Sequence, residues 1–363
     1  MIAIPTARTG AAVPAPSADP TVPTLRTTFR AMASTVTVQV VGPTGQATAA
    51  LRRVSRIFAR VERACTRFDP DSPLMRANAA GNSWHPVPQE CSFALAEAAR
   101  AHRYTRGLFD PRVLDTLVAL GYDRSLPFAD GPVHLDDVPA APRRRTGRAA
   151  VGLGRCPTRP AGRCPTGTQP RWATPWRPEI DMAGGRVRIG PAAVDLGGIG
   201  KGLAVRWAAH ALRAAGTAFL IDAGGDCHLG GSGPEGAGWR VGVEDPAGGD
   251  DPVAVLQLRD LACATSSVRL RSWFVGDRAV HHLIDPRTGA SAARGLRAVT
   301  VVAADAAIAE VWSKALLIAG HAQVAALSRR HDLAALWVDD ANRHGCSPVM
   351  APLLLWTRAG ADR

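Results

Sequence analysis

Three short stretches hold most of the residues that could do chemistry. The first is Val194-Asp195-Leu196-Gly197-Gly198-Ile199-Gly200-Lys201-Gly202-Leu203-Ala204. An acidic residue, a run of small residues and a lysine lead into an apolar, helix-forming run. Such a loop leaves backbone N–H groups open at a helix start, where the helix dipole favours an anion, and the lysine adds a point charge beside them. Only two of the 43 basic residues are lysines, Lys201 and Lys314. A chain that otherwise uses arginine has kept an ammonium at two places. The second stretch is His282-Leu283-Ile284-Asp285-Pro286-Arg287-Thr288-Gly289. There a strand delivers His282 into a proline-fixed turn, and a histidine beside a carboxylate can serve as a general base. The third is Glu310 with Lys314, one helical turn apart; spacing alone makes them an ion pair.

Neither common phosphate loop fits the first stretch. A Walker A loop needs Ser or Thr after Gly-Lys, and here Gly202 follows Lys201. The dinucleotide fingerprint fails because Leu203 stands where its third Gly or Ala belongs. A nucleoside triphosphatase and a Rossmann dehydrogenase are both disfavoured.

Periodicity gives the elements that must position these residues. Residues 34–41 alternate polar and β-branched types as a half-buried strand, and 46–66 carry Leu51, Val54, Ile57, Phe58 and Val61 at helical spacing. Residues 66–78 read as a loop with a capping serine, 88–105 and 113–120 as helices, and 186–189 as a short strand. A helix over 203–215 follows the glycine loop, then a buried strand over 217–221 that ends on Asp222-Ala223-Gly224-Gly225-Asp226. Further strands are predicted near 239–243, 253–258, 262–265, 298–302, 334–338 and 353–356, with helices over 306–319 and 322–330. Strands in runs between helices indicate an α+β fold rather than a regular βαβ array.

Composition narrows the class. The 363 residues can bury a sizeable core, and 46% apolar with 20% charged residues are the proportions of a soluble globular protein. The net charge of +12 suggests nucleic acid until it is located. Nine arginines fall within 143–178, a segment without Asp or Glu, so little excess remains elsewhere. That segment has only Trp172 and Trp176 as aromatics, and no nucleic-acid partner is expected. Periodicity is lost over 139–178, which reads as a basic low-complexity insertion. Residues 1–27 read as a disordered leader and 28–357 as the folded domain. The seven cysteines include no CxxC pair, so neither a zinc site nor a disulfide scaffold is expected, and reduced thiols fit a cytoplasmic protein. No signal peptide, lipid-attachment signal or membrane span is evident.

Taken together, the stretches resemble the ApbE family, the FAD:protein FMN transferases. The family's Asp-Leu-Gly-Gly-Ile-Ala-Lys-Gly loop is matched by Asp195–Gly202, its Gly-Gly-Asp by Gly224-Gly225-Asp226, and its His-Ile-Ile-Asp-Pro-Arg-Thr-Gly by His282–Gly289. Its Ala-Thr-Ser-Gly appears as Ala264-Thr265-Ser266, with Ser267 in place of glycine. Met32 begins a Met-Gly-Thr-like segment, Phe68 to Ser72 looks like the Tyr-x-Pro-Asp-Ser loop, and Leu108-Phe109-Asp110-Pro111 like Ala-Phe-Asp-Pro. Each piece is weak alone, but seven in the right order are specific. The match spans most of 28–357 outside the insertion.

The resemblance implies mixed or antiparallel sheets flanked by helices, and an enzyme that cleaves FAD with Mg²⁺. It implies transfer of FMN to a Thr or Ser hydroxyl of an acceptor flavoprotein, with AMP released. By position, Met32, Phe68, Leu108, Phe109, Asp110, Asp195, Lys201 and Ile284 would surround FAD. His282 would be the base, Lys201 the fixed cation, and Asp285 and Thr288 would shape the site. The metal would lie at the Gly198 carbonyl and the helix that in relatives reads Ala-Asp-x-x-x-Thr. Here that helix reads Ala309-Glu310-Val311-Trp312-Ser313-Lys314. A protonated lysine cannot be a ligand, so the expectation is that the Lys314 ammonium takes part of the cation's place, paired with Glu310. The family's Asp in Ala-Val-Asp is also replaced, by Arg206. Two readings stand: an active flavin transferase, or an FAD-binding protein or slow FAD pyrophosphatase with an altered metal site.

Overall fold

Val36, Val38 and Val40 all face one side of the strand Ser34–Val41 and are fully buried, as the alternation predicts. That strand belongs to an eight-stranded sheet in the order Thr24–Ala31, Ser34–Val41, Ala218–Ala223, Asp226–Gly230, Leu261–Ser267, Leu296–Ala303, Ala334–Asp339, His344–Cys346. Every neighbouring pair in it is antiparallel. The computed structural model describes residues 24–42, 44–128, 131–138, 175–213, 218–292 and 294–358. Residues 1–23 of the expected leader (1–27) and 139–174 of the expected insertion (139–178) lie outside the described residues.

Helices α1 (Thr44–Cys65), α2 (Pro73–Ala80), α3 (Gln89–Tyr104) and α4 (Leu114–Ala119) precede the glycine loop. Helix α5 (Gly200–Arg213) starts within it, and α6 (Ala306–Ala319) and α7 (His321–Arg330) come later. One sheet face packs Val38, Phe219 and Ile221 against Phe58 of α1, Leu203 of α5 and Val311 of α6. The other packs Leu220, Leu229 and Leu336 against a smaller antiparallel sheet of Trp239–Val243, Ala254–Leu258 and Leu354–Thr357. Successive residues over 218–221 thus serve opposite cores, which is why that part of the strand Ala218–Ala223 reads as continuously apolar.

Two contacts fix α5 against α6, the pair that carries Lys201 and Lys314. A Cβ on Gly202 would meet the Ala307 Cα at 2.6 Å and the Ala306 carbonyl oxygen at 2.7 Å, so only glycine lets the helices approach this closely. Arg206 Nη2 donates to Asp305 at 2.7 Å and to Glu97 of α3 at 3.0 Å. Asp305 is the N-cap of α6, accepting from the Ile308 amide at 3.0 Å. The arginine that replaces the family's aspartate therefore steadies the start of α6.

Several expectations need correction. The first strand starts at Thr24, ahead of residue 28, because its alternating face covers α1. Part of the 66–78 loop is α2, whose first amides Ser72 caps by accepting from Met75 N at 3.2 Å. Asp226–Gly230 is a buried strand of its own, whereas the sequence pattern only ends the preceding strand on Asp226. The insertion ends before 178: Trp176 is 5% exposed in the main core and donates its indole N–H to the Ile189 carbonyl at 3.1 Å. A large apolar ring with a satisfied donor is a core residue, whatever the composition around it.

Candidate functional site

The glycine loop, the first hairpin turn, the end of α1 and the 282–284 segment enclose a cavity of about 510 Å³. Its volume is in the range of small-molecule sites, and its lining mixes aromatic and aliphatic side chains with a few charges. Met32 and Ala33 form the two-residue turn between Ala31 and Ser34, with φ of 53° and 56°. Left-handed backbone at two non-glycine residues is strained, and the Met32 amide is held there by Glu62 Oε1 at 2.8 Å. That hydrogen bond anchors Met32 at the cavity wall.

Lys201 opens α5 in a nest of buried charge. Its ammonium contacts Asp226 and lies 3.7 Å from Glu310 Oε1. Glu310 is fully buried; Oε2 accepts from the Gly202 amide at 2.8 Å and Oε1 from Lys314 Nζ at 3.0 Å. Burial pulls the Lys201 ammonium down to about 8 against the pull of Glu310. For Glu310, burial works against ionisation, but Lys314 and Lys201 outweigh it and hold the carboxyl below its usual range. Arg271, also on the cavity wall, adds a third cation, so Lys201, Lys314 and Arg271 stand against Asp222, Asp226 and Glu310.

The two adjacent histidines divide their work. His281 is turned away, its Nε2 2.7 Å from the Ala292 carbonyl and its Nδ1 accepting from the Leu283 amide at 3.3 Å. His282 lines the cavity, and its Nδ1 lies 3.3 Å from the Arg271 carbonyl. A carbonyl can only accept, so Nδ1 carries the proton and Nε2 is left as the basic nitrogen. Burial, with Arg271, His281 and Lys314 nearby, keeps the ring well below the usual histidine range, hence neutral at pH 7.

Of the other residues expected at the site, Met32, Phe68, Phe109, Asp195, Gly198 and Ile284 all line the cavity. Asp110 also lies on the wall, but its carboxylate is taken up by Arg112 at 2.6 Å and by His102 at 3.6 Å. Leu108 is not on the cavity wall; it packs into the cluster of Trp312 and Leu316. Asp285 and Thr288 are not on it either. Asp285 is 1% exposed and bonded to Arg287 and Arg294 at 2.9 and 3.0 Å, while Thr288 closes the turn on the Asp285 carbonyl. Both hold the 282–289 turn. Arg67, Tyr122 and Arg271 were missed. Arg67 wedges its guanidinium 4.2 Å from both the Phe68 and Tyr122 rings, with Nε 3.7 Å from Asp195. In so arginine-rich a chain, nothing in the sequence marks these arginines out.

Comparison with known proteins shows the family and the fold. The ApbE family model matches residues 32–337. The chain belongs to the ApbE family. The FAD:protein FMN transferase of Salmonella typhimurium is 26% identical over 280 residues, 75% of this chain and 71% of that protein. The one from Rhodobacter capsulatus is 29% identical over 307 residues, 82% of this chain and 52% of that protein. Among solved structures, the ApbE protein of Thermotoga maritima superposes with a TM-score of 0.70 at 22% identity, covering 91% of this chain and 99% of that one. The flavin transferase ApbE of Vibrio cholerae gives 0.69 at 20% identity, covering 92% and 100%. The ApbE-like fold of antiparallel sheets and helices is therefore shared.

A Mg²⁺ ion held by Gly198 and the α6 helix does not fit these residues. Mg²⁺ takes oxygen ligands at about 2.0–2.1 Å, whereas both Glu310 oxygens already accept hydrogen bonds and an ammonium holds the position four residues on. Among the described residues no group of three or more His, Cys, Asp or Glu could hold a metal ion. The Lys314 side chain runs past Gly198, whose Cβ would lie 3.4 Å from Lys314 Cδ. The space beside the loop is filled by lysine.

Proposed function

We propose that this ApbE-family protein takes FAD as a substrate and transfers its FMN half to a Thr or Ser hydroxyl of an acceptor flavoprotein, releasing AMP. The observation that carries the reading is a neutral His282 with a fixed tautomer, on a cavity wall beside Lys201, Lys314 and Arg271. His282 Nε2 accepts the hydroxyl proton. The hydroxyl oxygen forms a bond to the flavin-side phosphorus, the bond from that phosphorus to the bridging oxygen breaks, and AMP leaves with its electron pair. The three cations meet the charge that develops on the diphosphate; most amides of the loop before α5 are already bonded within the protein, those of Gly197 to Asp195 and Gly202 to Glu310 among them.

The locked Glu310–Lys314 pair favours a second reading at the same site, in which FAD is bound and slowly hydrolysed to FMN and AMP. Removing His282 separates base chemistry from binding. His282→Ala is expected to keep FAD affinity within a few-fold and to lower transfer by about 10²- to 10⁴-fold. Transfer at the normal rate in that variant would exclude His282 as the base.

A further inference from the structure

A second, smaller cavity of about 80 Å³ lies against the first. The two share Gly197, Lys201, Arg271, His282 and Lys314, so the base and all three cations stand on a common wall. We infer that the two substrates approach this wall from opposite sides. The flavin nucleotide fills the large cavity, and an extended segment of the acceptor protein inserts one hydroxyl side chain into the small one. The inference rests on the proposed transferase reading and adds to it the place and size limit of the second substrate.

Size argues for it first. At roughly 30 Å³ per water, the small cavity has room for two or three water-sized groups. That suits a Ser or Thr side chain better than a tyrosine ring, so the wall itself would discriminate among hydroxyl side chains. Access argues for it next. The small cavity's outer residues include Leu270, 43% exposed, and the Arg269–Glu244 pair at 2.7 Å, with side chains 43% and 23% exposed. An apolar side chain beside an accessible ion pair suits a polypeptide better than a second nucleotide, since Lys201, Arg271 and Lys314 lie on the shared wall behind it. Its floor is Ser266 and Ser267, on the strand Leu261–Ser267. Ser266 Oγ is bonded to Ser313 Oγ at 2.8 Å, which ties that floor to α6 and to Glu310, whose carbonyl accepts from Ser313 at 3.0 Å.

The test uses the whole chain, FAD, and an acceptor domain with a single Thr flavinylation site. Wild type, Ser267→Phe and Leu270→Asp are compared for FAD affinity, for AMP release without acceptor, and for fluorescent flavin on the acceptor. Ser267→Phe fills the cavity; Leu270→Asp changes its mouth at an exposed position and leaves the fold alone. Both variants should keep FAD affinity within about twofold and lose at least about tenfold in acceptor labelling. The wild type should also fail to label the same domain with Tyr at the acceptor site. Normal labelling by both variants would overturn the inference and leave the transferase reading standing. FAD affinity falling in parallel with labelling would overturn it too, by assigning the small cavity to FAD. No labelling by wild type despite FAD binding would overturn the transferase reading along with the inference.

Discussion

Glu310 and Lys314, one turn apart on α6, form a buried ion pair at 3.0 Å directly beside the loop that carries Lys201. With the second Glu310 oxygen on the Gly202 amide, the carboxylate joins α5 to α6 and keeps two ammonium groups at one wall of the cavity. Buried charge of this kind holds only while every partner is present. The two lysines retained in an arginine-rich chain converge on one carboxylate.

If lysine does here what a divalent cation would do, restoring Asp and Thr should restore the need for metal. The double variant Glu310→Asp, Lys314→Thr is expected to bind FAD and turn it over with a stronger dependence on Mg²⁺ than wild type. Titrations of FAD affinity with Mg²⁺ and with EDTA check this, and identical curves for the two proteins would contradict it.

Gly202 offers a stability prediction. A methyl group there meets backbone rather than a movable side chain, so α5 and α6 must separate. Gly202→Ala is expected to lower stability by about 1–3 kcal/mol and to weaken FAD binding, because Lys201 moves with α5. Denaturant midpoints and FAD affinity measure both.

Acid should loosen the wall at Asp110. Burial opposes its ionisation, but hydrogen bonds from His102 and Arg112 prevail and bring its pKa from 3.8 down to about 2. A carboxyl whose folded pKa is depressed stabilises the fold above its unfolded value and loses that contribution as pH falls through the folded one. The shift corresponds to about 2 kcal/mol, lost between roughly pH 4 and pH 2. Asp110→Asn should remove this component from a stability–pH profile, and an unchanged acid limb would refute it.

Where chemistry and backbone demanded the same residues, the sequence was readable. The loop at Asp195–Gly202 must be small at Gly202 to let α5 touch α6 and at Gly198 to pass beside Phe109 and Lys314, so its glycines mark it twice. Helix α6 was bounded by Asp305 at its N-cap and Gly320, at φ 87°, after its end. Trp176 was lost because arginine and proline around it dominate any window average, although one buried ring decides the packing. The Asp226–Gly230 strand was hidden behind two glycines at φ 67° and 98°, which look like the start of a loop and are in fact a hairpin turn. Asp285 was assigned to chemistry because it is acidic and close in sequence to His282. Only the fold reveals that Arg287 and Arg294 occupy it.

The central claim concerns where the flavin goes once FAD is cleaved. The most direct measurement is the ratio of acceptor-bound flavin to AMP released in one reaction of intact protein, FAD and a Thr-bearing acceptor domain. The account predicts a ratio near one, with both products lost together in His282→Ala. AMP accompanied by free FMN and an unlabelled acceptor would contradict it.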